Sequence, residues 1–258
     1  MQIWKAHYRD EFHDTDIDIV NTEKEYNTDP LSFTLDGITF VGTAPDDLHP
    51  ADDTDIEKAG GRFNILKQGG FGIDKTEIPY WYTLQRYELE TDIPVNAVRR
   101  SDGCEVQGRI HIFYKFTEHD PARTQAISVC DGARVYPDDL NVLEFSLYTD
   151  GKKYSSTRKS SDFETALTDI SGQMSGEYYL KCCFTCQYSD YSPYGNDTFG
   201  TLQCFKEQKE NYLKVSSKTD YFNNLDDNWK YRQETFICGE YEPRTRCEGY
   251  RGFVNGVF

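Results

Sequence analysis

The chain has 258 residues, of which 37% are hydrophobic and 15% aromatic, so it can form folded domains and is not an intrinsically disordered protein. Its formal net charge of −16 argues against binding to nucleic acids or anionic membranes, because both require Lys and Arg. The first ten residues are too charged for a signal peptide, and no apolar run reaches the ~20 residues that span a bilayer. The sequence therefore predicts a cytoplasmic protein.

Residues 16 to 154 are predicted to form short strands separated by turns, a pattern typical of an all-β sandwich or barrel. Asp-Gly pairs mark two hairpins, because they favour the positive φ angles of a tight turn. In LSFTLDGITFVG, polar and apolar residues alternate on both sides of Asp36 and Gly37. In NVLEFSLYTDGKKYSS, the turn falls at Asp150 and Gly151. Antiparallel strands are expected at both places.

Two longer strands are predicted between these hairpins. The stretch YWYTLQRYELETDIPVNAV reads as one long strand, and its Pro94 indicates a sheet edge or a strand end, since proline cannot donate a backbone hydrogen bond. In EVQGRIHIFYKF, the alternation places His111 away from the apolar face, which predicts a surface or interstrand role. The apolar face of this strand consists of Ile110, Ile112, Tyr114 and Phe116.

Residues 44–61 are rich in Asp, Pro and Gly and are predicted to form a loop. One helix is predicted over SDFETALTDISGQM, with Ser161 or Asp162 as its cap and with Gly172 and Gly176 ending it. Shorter helical turns are predicted in FKEQKENYL and SKTDYFNNL. The apolar residues of the predicted helix, at helical spacing, are Phe163, Leu167 and Ile170.

Cysteines are the most informative residues of the sequence. Six of the eight fall within the 66 residues from Cys182 to Cys247. A gap of two residues lets one turn present two sulfurs to a metal ion, and reducing cytosol disfavours disulfides. We predict a four-cysteine zinc site made by Cys183, Cys186, Cys204 and Cys238.

Several alternatives stay open for these cysteines. The same four residues could hold an iron–sulfur cluster, because four thiolates serve both kinds of site. Structural disulfides and unligated thiols are the other possibilities. Cys182 and Cys247 are alternative ligands, and Cys247 could replace Cys238. A thioredoxin-like role is disfavoured because no helix is predicted after Cys186 to lower a thiol pKa.

Three weaker motifs are interpreted as structural. Ser189, Asp190 and Ser192 could belong to a catalytic triad, but all five histidines lie far away in sequence, so turn residues are the better interpretation. Gly69, Gly70 and Gly72 lack the features of a phosphate-binding loop. The acidic residues of the 44–61 loop lack calcium-loop spacing and are interpreted as solvated; they are Asp46, Asp47, Asp52, Asp53 and Asp55.

Together these patterns predict a mainly β protein. An antiparallel β-sandwich with one helix is expected over residues 1–177, followed by a small cysteine-stapled α+β module over residues 178–258. Residues 1–180 carry 33 Asp and Glu against 18 Lys and Arg. This excess predicts a non-enzymatic binding or adaptor protein, for example an immunity-like protein, whose protein partner is basic. The alternative is a redox or electron-transfer protein with an iron–sulfur cluster; hydrolase activity is a weaker third.

Overall fold

The computed structural model describes residues 1–23, 28–71, 77–116, 127–128, 134–135, 142–156, 163–193 and 199–245, and only the backbone at 68–71, 77–80, 127–128 and 134–135. The strands are β1 (Gln2–Arg9), β2 (Asp14–Asn21), β3 (Leu31–Leu35), β4 (Ile38–Gly42), β5 (His49–Pro50), β6 (Ile65–Phe71), β7 (Glu77–Leu84), β8 (Tyr87–Arg99), β9 (Glu105–Phe116), β10 (Ile127–Ser128), β11 (Arg134–Val135), β12 (Val142–Thr149), β13 (Lys152–Ser155), β14 (Tyr178–Leu180), β15 (Ser189–Asp190), β16 (Leu202–Cys204) and β17 (Lys230–Arg232). The helices are α1 (Ile56–Gly60), α2 (Phe163–Met174), α3 (Lys209–Tyr212) and α4 (Lys218–Asn224), with 3-10 turns at Cys183–Thr185 and Lys206–Gln208.

Ten of the described strands form one large antiparallel sheet. Its order is β13-β12-β9-β8-β1-β2-β3-β4-β5, and β14 also pairs with β8. The longest pairing joins β8 and β9, from Tyr87 opposite Phe116 to Val98 opposite Glu105. The smaller sheets are β6-β7, β10-β11 and β15-β16-β17. The predicted mainly β fold with antiparallel sheets is confirmed.

The large sheet has a buried inner face and an exposed outer face, because successive side chains of a strand point to opposite sides. Trp4 and Tyr8 of β1 are almost fully buried, whereas Lys5 and Arg9 are exposed. The predicted position of His111 off the apolar face is confirmed. The outer face of the four central strands is formed by Lys5, His7, Arg9, Asp14, Asp16, Asp18, Glu88, Glu90, Asp92, Arg109, His111, Phe113 and Lys115.

Both predicted Asp-Gly hairpins are confirmed. Asp36 and Gly37 have φ angles of 50° and 74° and connect β3 to β4. Asp150 and Gly151 have φ angles of 50° and 75° and connect β12 to β13. Positive φ at two successive residues gives the turn a twist that matches the twist of the paired strands.

The strand prediction around Pro94 is wrong in its bounds. The chain forms two strands, β7 and β8, separated at Gln85 and Arg86, where Arg86 has a φ of 53°. Pro94 lies inside β8 and faces β9 on one side. On its other side β1 pairs with residues 88–91 and β14 with residues 97–99. Pro94 therefore occupies a gap between two pairings, where a missing N–H is tolerated.

The helical predictions are mostly confirmed. α2, α3 and α4 lie where helix or helical turns were expected, although α2 continues through Gly172 and ends at Met174. The predicted caps Ser161 and Asp162 lie outside the described residues. The predicted 44–61 loop also contains β5 and α1. Asp55 caps α1 by accepting a hydrogen bond from the Lys58 N–H at 3.1 Å. Within the described residues, no helix combines the length and apolar character needed to cross a bilayer.

One hydrophobic core lies against the inner face and includes residues from distant parts of the chain. The ring of Phe199 lies 6.3 Å from that of Trp4 in β1 and 4.6 Å from that of Phe163 in α2. Leu84 of β7 and Leu202 of β16 belong to the same core. Residues on both sides of position 177 thus share this core. The predicted sandwich packing and the division at 177/178 stay predictions.

Candidate metal centre

The CxxC motif folds as a 3-10 turn over Cys183–Thr185, here called the knuckle turn. It follows β14 and the extended residue Cys182, and the Cys186 N–H donates to the Cys183 carbonyl at 3.1 Å. The Thr185 hydroxyl donates to the Leu180 carbonyl at 2.5 Å. This bond fixes the turn against the end of β14, so that the two cysteines of the motif lie at either end of one anchored turn.

Backbone hydrogen bonds bring Cys238 close to the knuckle turn. The Cys183 N–H donates to the Phe236 carbonyl at 3.0 Å, and the Gln187 N–H donates to the Glu242 carbonyl at 2.9 Å. Cys238 lies between these two acceptors in the chain. The segment that carries the fourth predicted ligand is therefore attached to the turn on both sides of that ligand.

Cys204 reaches the same place through a short sheet. In the β15-β16 pair, Cys204 lies opposite Ser189, and the Phe205 N–H donates to the Tyr188 carbonyl at 2.8 Å. The Ser189 hydroxyl in turn donates to the Cys183 carbonyl. Three separate segments of the chain, which carry the four predicted ligands, thus meet at the knuckle turn.

The sulfur atoms influence one another electrostatically. Burial raises the pKa of the Cys183 thiol well above its usual value, and the charges of Cys204, Cys186, Cys182 and Cys238 raise it further. Burial also raises the pKa of the Cys186 and Cys204 thiols. Charges of like sign raise a neighbouring acid's pKa only at short range. These pKa directions fit the meeting of the three segments described above.

Cysteines that lie close together do not necessarily coordinate a metal ion. Among the residues that the structure describes, no three His, Cys, Asp or Glu side chains are placed as ligands of one metal ion. The four cysteines share a neighbourhood without a common tetrahedral centre, so metal binding by them stays a prediction. The Glu240 N–H donates to the Cys238 sulfur at 3.3 Å.

The other cysteines differ in their surroundings. Cys182 belongs to the main core, and burial raises the pKa of its thiol to about 12. Cys104 is exposed. Cys130 and the alternative ligand Cys247 lie outside the described residues.

The comparison with protein families gives one match. The model of a family of unknown function, DUF6304, matches residues 2–189. The chain belongs to this family. No curated protein and no solved structure matches it. In this DUF6304 chain the matched range runs from β1 to the start of β15, so it includes Cys183 and Cys186 and excludes Cys204 and Cys238.

A buried ion pair beside the knuckle turn was missed by sequence reasoning. Arg244 Nη1 lies 3.1 Å from Asp190 Oδ2, and their side chains are only 1% and 3% exposed. The Tyr212 hydroxyl donates to the same carboxylate oxygen at 2.6 Å. Arg244 also donates to the carbonyls of Ser189 and Cys186. Asp190, considered above as a catalytic residue, thus anchors the segment after the knuckle turn.

Two further buried polar contacts also escaped sequence reasoning. The Glu234 carboxyl group accepts hydrogen bonds from the Gly200 N–H at 2.7 Å and the Tyr191 hydroxyl at 3.1 Å. Burial raises the pKa of Glu234 to about 8. The amides of Asn21 and Gln233 exchange two hydrogen bonds, at 2.8 and 3.1 Å. The amide pair joins the large sheet to the C-terminal segments, and the Glu234 contacts join those segments to one another.

The acidic loop has structural contacts at two of its carboxylates. Asp47 Oδ1 accepts hydrogen bonds from the N–H groups of Thr43 at 2.9 Å and Ala44 at 2.8 Å. Burial raises the pKa of Asp47. Asp55 caps α1 as described above. The interpretation of these carboxylates as solvated is therefore wrong for Asp47, whereas Asp52, Asp53 and Asp55 are exposed as predicted.

Proposed function

We propose that this chain is a non-enzymatic binding or adaptor protein, for example an immunity-like protein. Its C-terminal segments would be held together by a structural metal ion on Cys183, Cys186, Cys204 and Cys238. The observation that carries the proposal is the meeting of three segments at the knuckle turn. Backbone bonds tie Cys183 to the chain before Cys238, and strand pairing holds Cys204 opposite Ser189. Cysteine-bearing segments that come together from distant positions in the chain are typical of structural zinc sites.

The thiols would need a bound cation in order to ionise together. Without a cation, deprotonation would place several negative sulfurs in a buried space, which is why burial and neighbouring cysteines raise the pKa of Cys183. A divalent ion compensates that charge, and thiolates bind Zn²⁺ at about 2.3 Å. The metal would lock the knuckle turn to the later segments. An iron–sulfur cluster on the same residues, with an electron-transfer role, is the alternative.

The same proposal includes the finer architecture. In the proposed sandwich, over residues 1–177, the small β6-β7 sheet packs against the inner face of the large sheet, and the common core of Leu84 and Trp4 supports this packing. The cysteine-stapled module spans residues 178–258. A small cluster of buried residues, separate from the main core, supports this module; it consists of Cys186, Tyr188, Phe205 and Tyr212.

The binding role rests on charge. The acidic excess of residues 1–180 attracts basic partners and repels nucleic acids. A cytoplasmic location, with reduced thiols available for metal, fits this role. The first experiment is elemental analysis of protein freshly purified under reducing, anaerobic conditions.

We expect about one zinc ion per chain. The variant Cys204→Ser should lose the metal and melt at a lower temperature, because structural zinc contributes directly to folding. Cys104→Ser is the matched control, since Cys104 is exposed and lies outside the cluster. A coloured protein that contains iron would refute the zinc site and support the iron–sulfur alternative. Metal-free protein whose stability is equal in both variants would refute the metal site.

A further inference from the structure

The outer face of the large sheet carries an ordered pattern of charge. One row crosses four strands with alternating sign: Arg9 Nε lies 3.1 Å from Asp14, Arg9 Nη1 lies 3.3 Å from Glu88, and Lys115 Nζ lies 2.7 Å from Glu88. The charges of this row compensate one another. Unlike the inner face, the outer face of these strands has no fully buried side chain among the described residues.

Beside this balanced row lies a groove of about 680 Å³ in which acidic side chains predominate. Its charged lining over β2, β1 and β8 consists of Asp16, Asp18, Glu90 and Asp92 against the single Lys5. Three of these carboxylates have partners of their own. Asp18 lies 2.7 Å from Lys5 Nζ, Asp16 lies 2.8 Å from His7 Nδ1, and Asp92 lies 3.0 Å from His111 Nδ1.

Glu90 is the exception. It is half-buried on a central strand, and its side chain makes no hydrogen bond or ion pair with any residue that the structure describes. Its cross-strand neighbours are His7 and Phe113. Both ring nitrogens of His7 are already engaged by Asp14 and Asp16, at 2.7 and 2.8 Å. The groove therefore has a central carboxylate whose counter-charge the described chain does not provide.

We propose that this groove binds an extended Lys- and Arg-rich segment of another protein; the proposal rests on the binding role proposed above and not on the metal. Side chains on one face of an extended segment recur about every 7 Å. Within the groove, Glu90 and Asp92 recur at the same interval along β8, so one cation of the segment can pair with Glu90 while the next lies over Asp92. A single metal ion fits less well, because no three carboxylates or histidines of the described residues are placed around one point.

The test uses the full-length protein and a fluorescent peptide in which Lys and Ser alternate over ten residues. Binding is measured by anisotropy at low and at physiological salt, with a Glu-Ser peptide as the charge control. The variant Asp16→Asn/Glu90→Gln is compared with Asp52→Asn/Asp53→Asn, which removes the same charge from an exposed loop. Melting curves of both variants confirm that each is folded.

We expect the groove variant to bind the Lys-Ser peptide roughly five- to tenfold more weakly, because two surface charge pairs are lost. The loop variant should bind within about twofold of the original protein, because distant charges are screened. Equal weakening in both variants would refute the groove while leaving a binding role in place. If the original protein does not bind the Lys-Ser peptide at low salt, the basic partner is refuted as well. Zinc content, measured on the same sample, reports separately on the cysteine site.

Discussion

Glu234 is a carboxyl group buried among the C-terminal segments, and this burial makes it sensitive to pH. Its pKa rises from an ordinary 4.5 to about 8 because burial disfavours the charged form. The folded state therefore keeps a proton that the unfolded state releases. The contribution of Glu234 to the stability of the folded state is fully present below the ordinary pKa of 4.5 and is lost as the pH rises to about 8.

Replacing Glu234 by Gln, which cannot titrate, should flatten the dependence of the free energy of unfolding on pH over that range. Between the two ends of this pH range, the free energy of unfolding of the original protein should fall by on the order of a few kcal/mol more than that of the variant. Urea unfolding at both ends of the range measures the difference. Glu57→Gln in the exposed first turn of α1 should keep the original dependence. A variant at Glu234 with an unchanged slope would show that another group is responsible.

The Arg244–Asp190 ion pair leads to a second prediction about single residues. Arg244→Met leaves the Asp190 carboxylate buried without its cation, which should lower the free energy of unfolding by about 3–5 kcal/mol. Lys5→Met, which breaks the exposed pair with Asp18, should change it little. Urea unfolding compares the two variants. Equal losses in both would mean that the buried pair contributes no more than a surface pair.

At the scale of elements, glycines in two settings should respond in opposite directions to the same substitution. Gly151 has a φ of 75° in the β12-β13 turn, so Gly151→Ala should destabilise the protein by about 1–2 kcal/mol. Gly172 lies in α2 with open space where a Cβ would be, so Gly172→Ala should stabilise it by up to about 1 kcal/mol. Thermal melting of both variants measures the contrast. A gain at Gly151 or a loss at Gly172 would contradict the turn or the helix.

Elements with a local cause could be predicted from the sequence. The Asp-Gly pairs fix their turns by their own φ angles, and the spacing of Phe163, Leu167 and Ile170 predicts α2 without reference to the rest of the chain. Pro94 was misplaced because its tolerance depends on a gap between two pairing partners. That gap exists only once β1 and β14 have paired with β8, so the local sequence around Pro94 does not indicate it.

At the scale of the whole molecule, the candidate site was only partly accessible to sequence reasoning. The CxxC spacing identified the knuckle turn, because two sulfurs three positions apart belong to one turn. Arg244 and Glu234 have no such local signal. Their burial arises only when segments after Leu202 fold onto the knuckle turn, and no periodicity in the sequence records that contact.

The Asn21–Gln233 amide pair has a consequence for biosynthesis. Its two residues are 212 positions apart, so a nascent chain on the ribosome exposes β2 long before its partner has been made. Chains whose native contacts join distant positions fold slowly, and their unpaired strands can associate with other chains. The large sheet thus emerges first and waits for the C-terminal segments, and chaperones that shield apolar surface would matter most during this interval.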